Sequence, residues 1–202
     1  MKYQIVLLFL FSIVGFLPYF GSIDVISVQY LYLTVLNSIS LFYIVLYKKI
    51  PFKIPVFSSF AFFIFFIFVT FISLIFSEYL IESTIEILRF LVLLSTFFIF
   101  IHLLSSLKDS YKVISQIILF LLLGEILIFY FQLYLFLSVE TEYVRNSFVS
   151  GVSINQNISS FLLLYKIPFL LFLIFTEDKR AYLLFYSFVL FSSSFAIFLF
   201  SS

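Results

Sequence analysis

Seven apolar stretches fill this chain, at about residues 4–20, 25–47, 54–77, 80–104, 113–138, 158–176 and 183–202, with only short polar connections between them. Each is roughly 17 to 25 residues long, the length at which an α-helix crosses about 30 Å of hydrocarbon. Inside a bilayer no water is present to satisfy backbone N–H and C=O groups, so a spanning segment must be a helix or part of a closed barrel. The strict two-residue alternation of a barrel strand is missing, which leaves helices. The expected fold is therefore all-α, a polytopic transmembrane helical bundle of about seven spans. A share of 64% hydrophobic and 10% charged residues separates the chain from soluble domains, where about half the residues are apolar and a quarter charged. So little remains outside the spans that residues 1–202 read as one transmembrane domain. The opening "MKYQIVLLFLFSIVGFLPYF" resembles a signal peptide, but no small-x-small cleavage site follows, and it reads as an uncleaved first helix. With no cysteine, neither a disulfide nor a thiolate metal site is available. No block of basic residues points to nucleic acid, and the lipid bilayer is the partner that the composition implies.

The lysines and arginines of the short connections give an orientation. If the N-terminus is cytoplasmic, the inner positions hold Lys2, Lys48, Lys49, Lys53, Lys108, Lys112, Lys179 and Arg180, and the outer ones hold only Arg89 and Arg145. This bias predicts an inner N-terminus and, after seven spans, an outer C-terminal end. The longest connection, "VETEYVRNSFVSGVSINQ" at 139–156, then lies outside, and long loops often carry function. The final "FAIFLFSS" is still apolar with no tail after it, and we expect a longer polytopic protein of which this is the N-terminal part.

Polar residues within the spans narrow the chemistry. Glu125 falls near the middle of the fifth span, where an isolated acid costs about 2.5–3.5 kcal/mol on insertion scales. Lys166 falls near the middle of the antiparallel sixth span, and its flexible stem can reach along the helix. Either the two pair, or Glu125 is neutral and hydrogen-bonded while Lys166 reaches an interface. Pro168 removes a backbone donor just beyond Lys166 and predicts a kink. Asn157 stands where a helix N-cap is expected, whereas Asn155 has no such explanation. Glu82, Glu86 and Arg89 share one face of the fourth helix, read as a structural ion cluster. His102 is the single histidine, so a metal site is not expected. Gln29, Asn37, Gln116 and Gln132 read as interhelical hydrogen-bonders, and the serines at 187 and 192–194 as sites of close packing by the last helix.

An arginine in an outer loop, a glycine, "N-x-N", then a helix with "LLxKxPF" resembles the O-antigen ligase and O-antigen polymerase family of bacterial envelopes. Arg145, Gly151, Asn155, Asn157, Lys166, Pro168 and Phe169 carry the resemblance. Ser153 and Ile154 stand where a second glycine often occurs in the family, and Ser201 and Ser202 stand where a serine-arginine pair would begin. The resemblance implies the N-terminal part of a metal- and cofactor-free membrane glycosyltransferase of the bacterial inner membrane. Such an enzyme takes a polyprenyl-diphosphate-linked glycan donor and transfers the glycan to a lipid A core or glycan acceptor on the periplasmic face. It further implies a later periplasmic loop with catalytic arginine and histidine residues, so no catalytic residue is expected within 1–202. In that scheme Arg145, Asn155 and Asn157 bind substrate, while Glu125, Lys166, Gly151 and Pro168 are structural or intramembrane polar residues. Secondary transport and a non-catalytic scaffold are the other readings of a bundle with midplane charges.

Overall fold

A computed structural model describes residues 2–17, 25–48, 58–105, 107–138, 151 and 156–201. The described residues form seven α-helices and no strand. These are α1 (Lys2–Ser12), extended by a 3-10 turn (Ile13–Phe16), α2 (Val25–Tyr43), extended by a π-helical turn (Ile44–Lys48), and α3 (Ser58–Ile75). They are followed by α4 (Leu80–Ser105), α5 (Ser110–Ser138), α6 (Gln156–Thr176) and α7 (Arg180–Ser201). Each predicted span contains one of them. The fifth starts three residues earlier than the sequence reading, the sixth two and the seventh three; the parts of the first and third at 18–20 and 54–57 lie outside the described residues.

Five helices are long and apolar enough to cross a membrane: Ile26–Leu46, Leu80–Ser105, Ser110–Ser138, Gln156–Thr176 and Arg180–Phe200. The apolar helices Tyr3–Phe16 and Ile64–Ile75 are shorter. The protein is a multi-pass membrane protein, and its surface agrees with that. Phe65, Phe68, Ile72, Phe131, Phe175, Phe188 and Phe191 are all exposed. In water such a density of bare apolar side chains, most of them aromatic, would be an aggregation surface, but against acyl chains it is the ordinary outside of the molecule.

The chain divides into two compact units, residues 1–107 and 108–202. In the first, the buried residues of α2 and its extension are Leu33, Leu36, Asn37, Ser40 and Ile44, which recur at helical spacing and form one stripe. That stripe carries the unit's main polar contact. The Asn37 amide nitrogen donates toward Ser95 Oγ (2.7 Å), Thr96 Oγ1 (3.0 Å) and the Val92 carbonyl (3.1 Å), and Thr96 Oγ1 donates back to Asn37 Oδ1 (3.1 Å). Tyr32 Oη donates to the Leu10 carbonyl at 2.9 Å, tying α2 to α1. In the first half of α4, Arg89 donates to Glu86 (2.7 Å) and to Ser27 Oγ (3.2 Å), and lies 5.5 Å from the centre of the Tyr30 ring. The arginine thus joins α4 to α2 as well as to its own helix.

Replacing Asn37 by alanine should destabilise the α2–α4 pairing by only about 1 kcal/mol, in line with interhelical hydrogen bonds measured in membranes. The effect is small because Ser95 Oγ donates to the Val92 carbonyl at 2.8 Å and Thr96 Oγ1, at the same distance from it, can turn its one proton there once Asn37 is gone. Unfolding of the detergent-solubilised variant by a denaturing detergent, followed by circular dichroism, measures it.

The second unit packs α7 on α6, α6 on α5 and α5 on α7. Its core contains Leu122, Ile126 and Phe129 of α5, Leu163, Leu170 and Leu173 of α6, and Tyr186, Val189, Ala196 and Phe200 of α7. On α7 the seam runs 186, 189, 193, 196, 200, the three-and-four spacing of a helix packed along one stripe. Lipid is as apolar as these side chains, so tight packing rather than the hydrophobic effect holds the seam together, and small residues let backbones approach. Ser192, Ser193 and Ala196 fill that role on α7, whereas Ser187 and Ser194, which the sequence reading grouped with them, are exposed because they fall off the stripe. Phe129 and Phe200 meet edge to face at 4.9 Å, an arrangement that adds about 0.5–1.5 kcal/mol beyond area.

Candidate functional site

The buried residues of α6 are Ser159, Leu163, Leu170 and Leu173, and Lys166, half-buried, falls on the same stripe, so the register that buries the three leucines carries Lys166 inward with them. Lys166 has ten residues of α6 before it (156–165) and ten after (167–176); Glu125 has 15 residues of α5 before it (110–124) and 13 after (126–138). Both groups are at the centre of their helices, so neither can reach water by a short bend of its side chain.

They meet instead. Lys166 Nζ donates to Glu125 Oε1 at 2.6 Å and to Oε2 at 2.8 Å, with a third donation to the Leu162 carbonyl at 3.3 Å. An ammonium has three donors, and here each has an acceptor. The pair is largely shielded, with 13% of the lysine side chain and 11% of the glutamate side chain exposed. A charge-assisted contact on both carboxylate oxygens in a low-dielectric surrounding is the geometry in which an ion pair offsets its desolvation. Of the two sequence readings, the paired one describes the structure. Pro168, two residues on, lies inside α6, which continues through it to Thr176.

Toward the start of α6 a second polar contact fixes a single loop residue. Gly151 has φ of 70°, a backbone region that side chains with a Cβ disfavour. Its N–H donates to Gln132 Oε1 at 2.8 Å, and its carbonyl accepts from Gln132 Nε2 at 3.3 Å. One glutamine amide therefore satisfies both backbone groups of one residue. A Cβ on Gly151 would collide with the Ser159 hydroxyl, lie 2.7 Å from Ser159 Cβ and 3.3 Å from Phe200 Cζ, so only glycine fits between α6 and α7 here.

The four residues form a ladder with a seven-residue step. Glu125 and Gln132 are seven apart on α5, and Ser159 and Lys166 are seven apart on α6, so in the antiparallel pair Glu125 faces Lys166 while Gln132 is joined to Gly151, which rests on Ser159. The glutamine–glycine contact was not foreseen in the sequence. Gln132 was grouped there with Gln29, Asn37 and Gln116 as an interhelical donor; Asn37 does bridge two helices, Gln132 holds a loop backbone, and Gln116 is exposed.

The other site residues proposed from sequence fall as follows. Arg145 and Asn155 lie outside the described residues. Asn157 is exposed, and α6 begins at Gln156, so Asn157 is the second helical residue rather than the N-cap. Of the acidic cluster, Glu86 pairs with Arg89 at 2.7 Å, while Glu82 is exposed in the first turn of α4. His102 is buried near the end of α4, and among the described residues no group of three or more His, Cys, Asp or Glu side chains is close enough to hold a metal ion. What the described site can do chemically is hold charge inside hydrocarbon and anchor a loop at one residue.

No protein family, no curated protein and no solved structure matches this chain.

Proposed function

We propose that this chain is the membrane part of an O-antigen ligase-like or polymerase-like protein, which transfers a polyprenyl-diphosphate-linked glycan to a lipid A core or glycan acceptor at the periplasmic face of a bacterial inner membrane. The reading rests on one observation, the sequence order Arg145, Gly151, Asn155, Asn157, Lys166, Pro168. Two of its members have a physical reason to be where they are: Gly151 is the residue that fits against Ser159, and Lys166 is held by Glu125. A diphosphate leaving group needs its charge stabilised, and an arginine fork that keeps its charge at any working pH and grips two oxygens at once is suited to that task. Arg145 serves as that group, with Asn155 and Asn157 donating amide hydrogens to phosphate or sugar. The N-terminus is cytoplasmic in this scheme, and the catalytic acceptor base belongs to a part of the protein beyond residue 202.

In the full-length protein, Arg145→Lys should lower glycan transfer to the acceptor well beyond any loss of membrane abundance, because a point charge replaces a fork, and Arg145→Ala should lower it further. Near-normal transfer by a normally abundant Arg145→Ala variant contradicts the reading.

A second reading, secondary transport, draws on the central Glu125–Lys166 pair, since ionisable groups at mid-membrane mark ion and substrate paths in transporters. The two readings part on one variant. Glu125→Gln combined with Lys166→Met removes both charges and should leave glycan transfer largely intact if the pair is structural, whereas a transporter that uses those charges loses its coupled flux.

A further inference from the structure

The Glu125–Lys166 and Phe129–Phe200 contacts set the register of α5, α6 and α7. At 1.5 Å per residue, Lys112 lies about 20 Å along α5 from Glu125, and Thr176 lies about 15 Å along α6 from Lys166 on the same side. Arg180 lies about 30 Å along α7 from Phe200, which is level with Phe129, so it too falls about 24 Å from the ion pair in that direction. One end of this unit therefore gathers the start of α5 and the turn between α6 and α7. It carries Lys108, Lys112, Lys179 and Arg180 together with Asp109, Glu177 and Asp178, all exposed except the half-buried Glu177. Among the described residues none of the seven is in an ion pair. Glu177 is spent on the turn, where its Oε1 accepts from the Lys179 backbone N–H at 3.3 Å. The described residues at the opposite end, 134–138, 151, 156–162 and 195–201, hold no acid and no base.

This charged end stands at headgroup depth. α5 is 29 residues long, about 43 Å, against about 30 Å of hydrocarbon, so its first turn reaches past the acyl chains. Tyr111 and Tyr182 are exposed beside it, and Lys179 Nζ lies 5.7 Å from the centre of the Tyr182 ring, as befits the tyrosine belt of a membrane surface. From the two unpaired signs at one depth we infer a binding surface for a phospholipid whose head carries both a phosphate and a primary ammonium, that is, a phosphatidylethanolamine. The lysines and the Arg180 fork hold the phosphate oxygens, and the Asp109 and Asp178 carboxylates accept hydrogen bonds from the ammonium. An anionic head without an ammonium would satisfy the bases but set a like charge against the aspartates. A choline head brings a phosphate, but its quaternary nitrogen has no proton to donate to a carboxylate. No residue of the proposed donor site takes part.

The lipids that the full-length protein retains test this. The protein is extracted with mild detergent from vesicles of phosphatidylethanolamine, phosphatidylcholine and phosphatidylglycerol in equal amounts, and bound lipids are counted by native mass spectrometry. Phosphatidylethanolamine should be enriched over each of the others by roughly fivefold, the size of one exposed ionic contact. Equal retention of the three, or enrichment of either other lipid, overturns the inference. Asp109→Asn combined with Asp178→Asn should abolish the preference for phosphatidylethanolamine over phosphatidylglycerol, and Lys179→Gln combined with Arg180→Gln should lower retention of both. Persistence of the preference in the first variant, or unchanged retention in the second, equally overturns it. If either variant does not fold, the three-lipid comparison on the wild type decides alone.

Discussion

Lys166→Met alone should destabilise the α5–α6–α7 unit by about 3 kcal/mol or more, because it leaves the Glu125 carboxylate without a counter-charge at the centre of a span. Glu125→Gln alone strands the ammonium and should cost a similar amount. Together they should cost much less than the sum, since glutamine and methionine of like size fill the same space with no charge to desolvate. The lysine's second function, donation to the Leu162 carbonyl at 3.3 Å, is long and contributes little. Denaturing-detergent titration of the two single variants and the double variant, read by tyrosine fluorescence since the chain has no tryptophan, gives the three numbers. A double variant as damaged as the two single losses added together rules out the coupling.

Gly151→Ala should be the next most damaging single change, at about 2–3 kcal/mol. One to two of these come from forcing an L-residue into the left-handed region at φ 70°. The rest is steric, since the new methyl would be 2.7 Å from Ser159 Cβ where carbon atoms prefer about 3.5–4.0 Å. The two contributions can be separated. Ser159→Gly in the same chain removes the collision but not the backbone strain, so the double variant should regain the steric part only. Equal stability of Gly151→Ala and the wild type, by the same titration, contradicts this account of the loop return.

Much of the architecture was legible because a bilayer leaves few options: seven apolar windows became seven helices among the described residues, with ends displaced by a few residues. The ion pair was legible for a related reason. Two opposite charges at matched depth on neighbouring antiparallel spans have no cheaper partner than each other. The α6 seam could also have been read, since 159, 163, 166, 170 and 173 fall on one helical stripe. The same stripe logic, applied to α7, separates buried Ser192 and Ser193 from exposed Ser187 and Ser194.

What was not legible depends on contacts with no period. Gln116 and Gln132 are the same residue type on the same helix, yet one faces outward and the other holds Gly151, a difference set by where a loop returns rather than by any local pattern. The N-cap reading of Asn157 missed by two positions, since Asn157 is the second residue of α6 and a cap precedes the first; a helix start is defined by its first hydrogen-bonded turn and not by residue type alone. Arg145 and Asn155, on which the proposed donor site depends, lie outside the described residues, so that part of the site stands on sequence and chemistry.

The ion pair at the centre of the α5–α6 packing is the claim on which the second unit's organisation rests, and a direct distance measurement tests it. With nitrogen-labelled lysine and carbon-labelled glutamate side-chain carboxyl groups, rotational-echo double resonance in lipid bilayers reads the coupling between Lys166 Nζ and Glu125 Cδ. A nitrogen seated on both oxygens, at 2.6 and 2.8 Å, predicts strong dephasing of the Lys166 signal that vanishes in Glu125→Gln. A Lys166 signal that keeps its full intensity in the wild-type protein would show that the two charges do not meet.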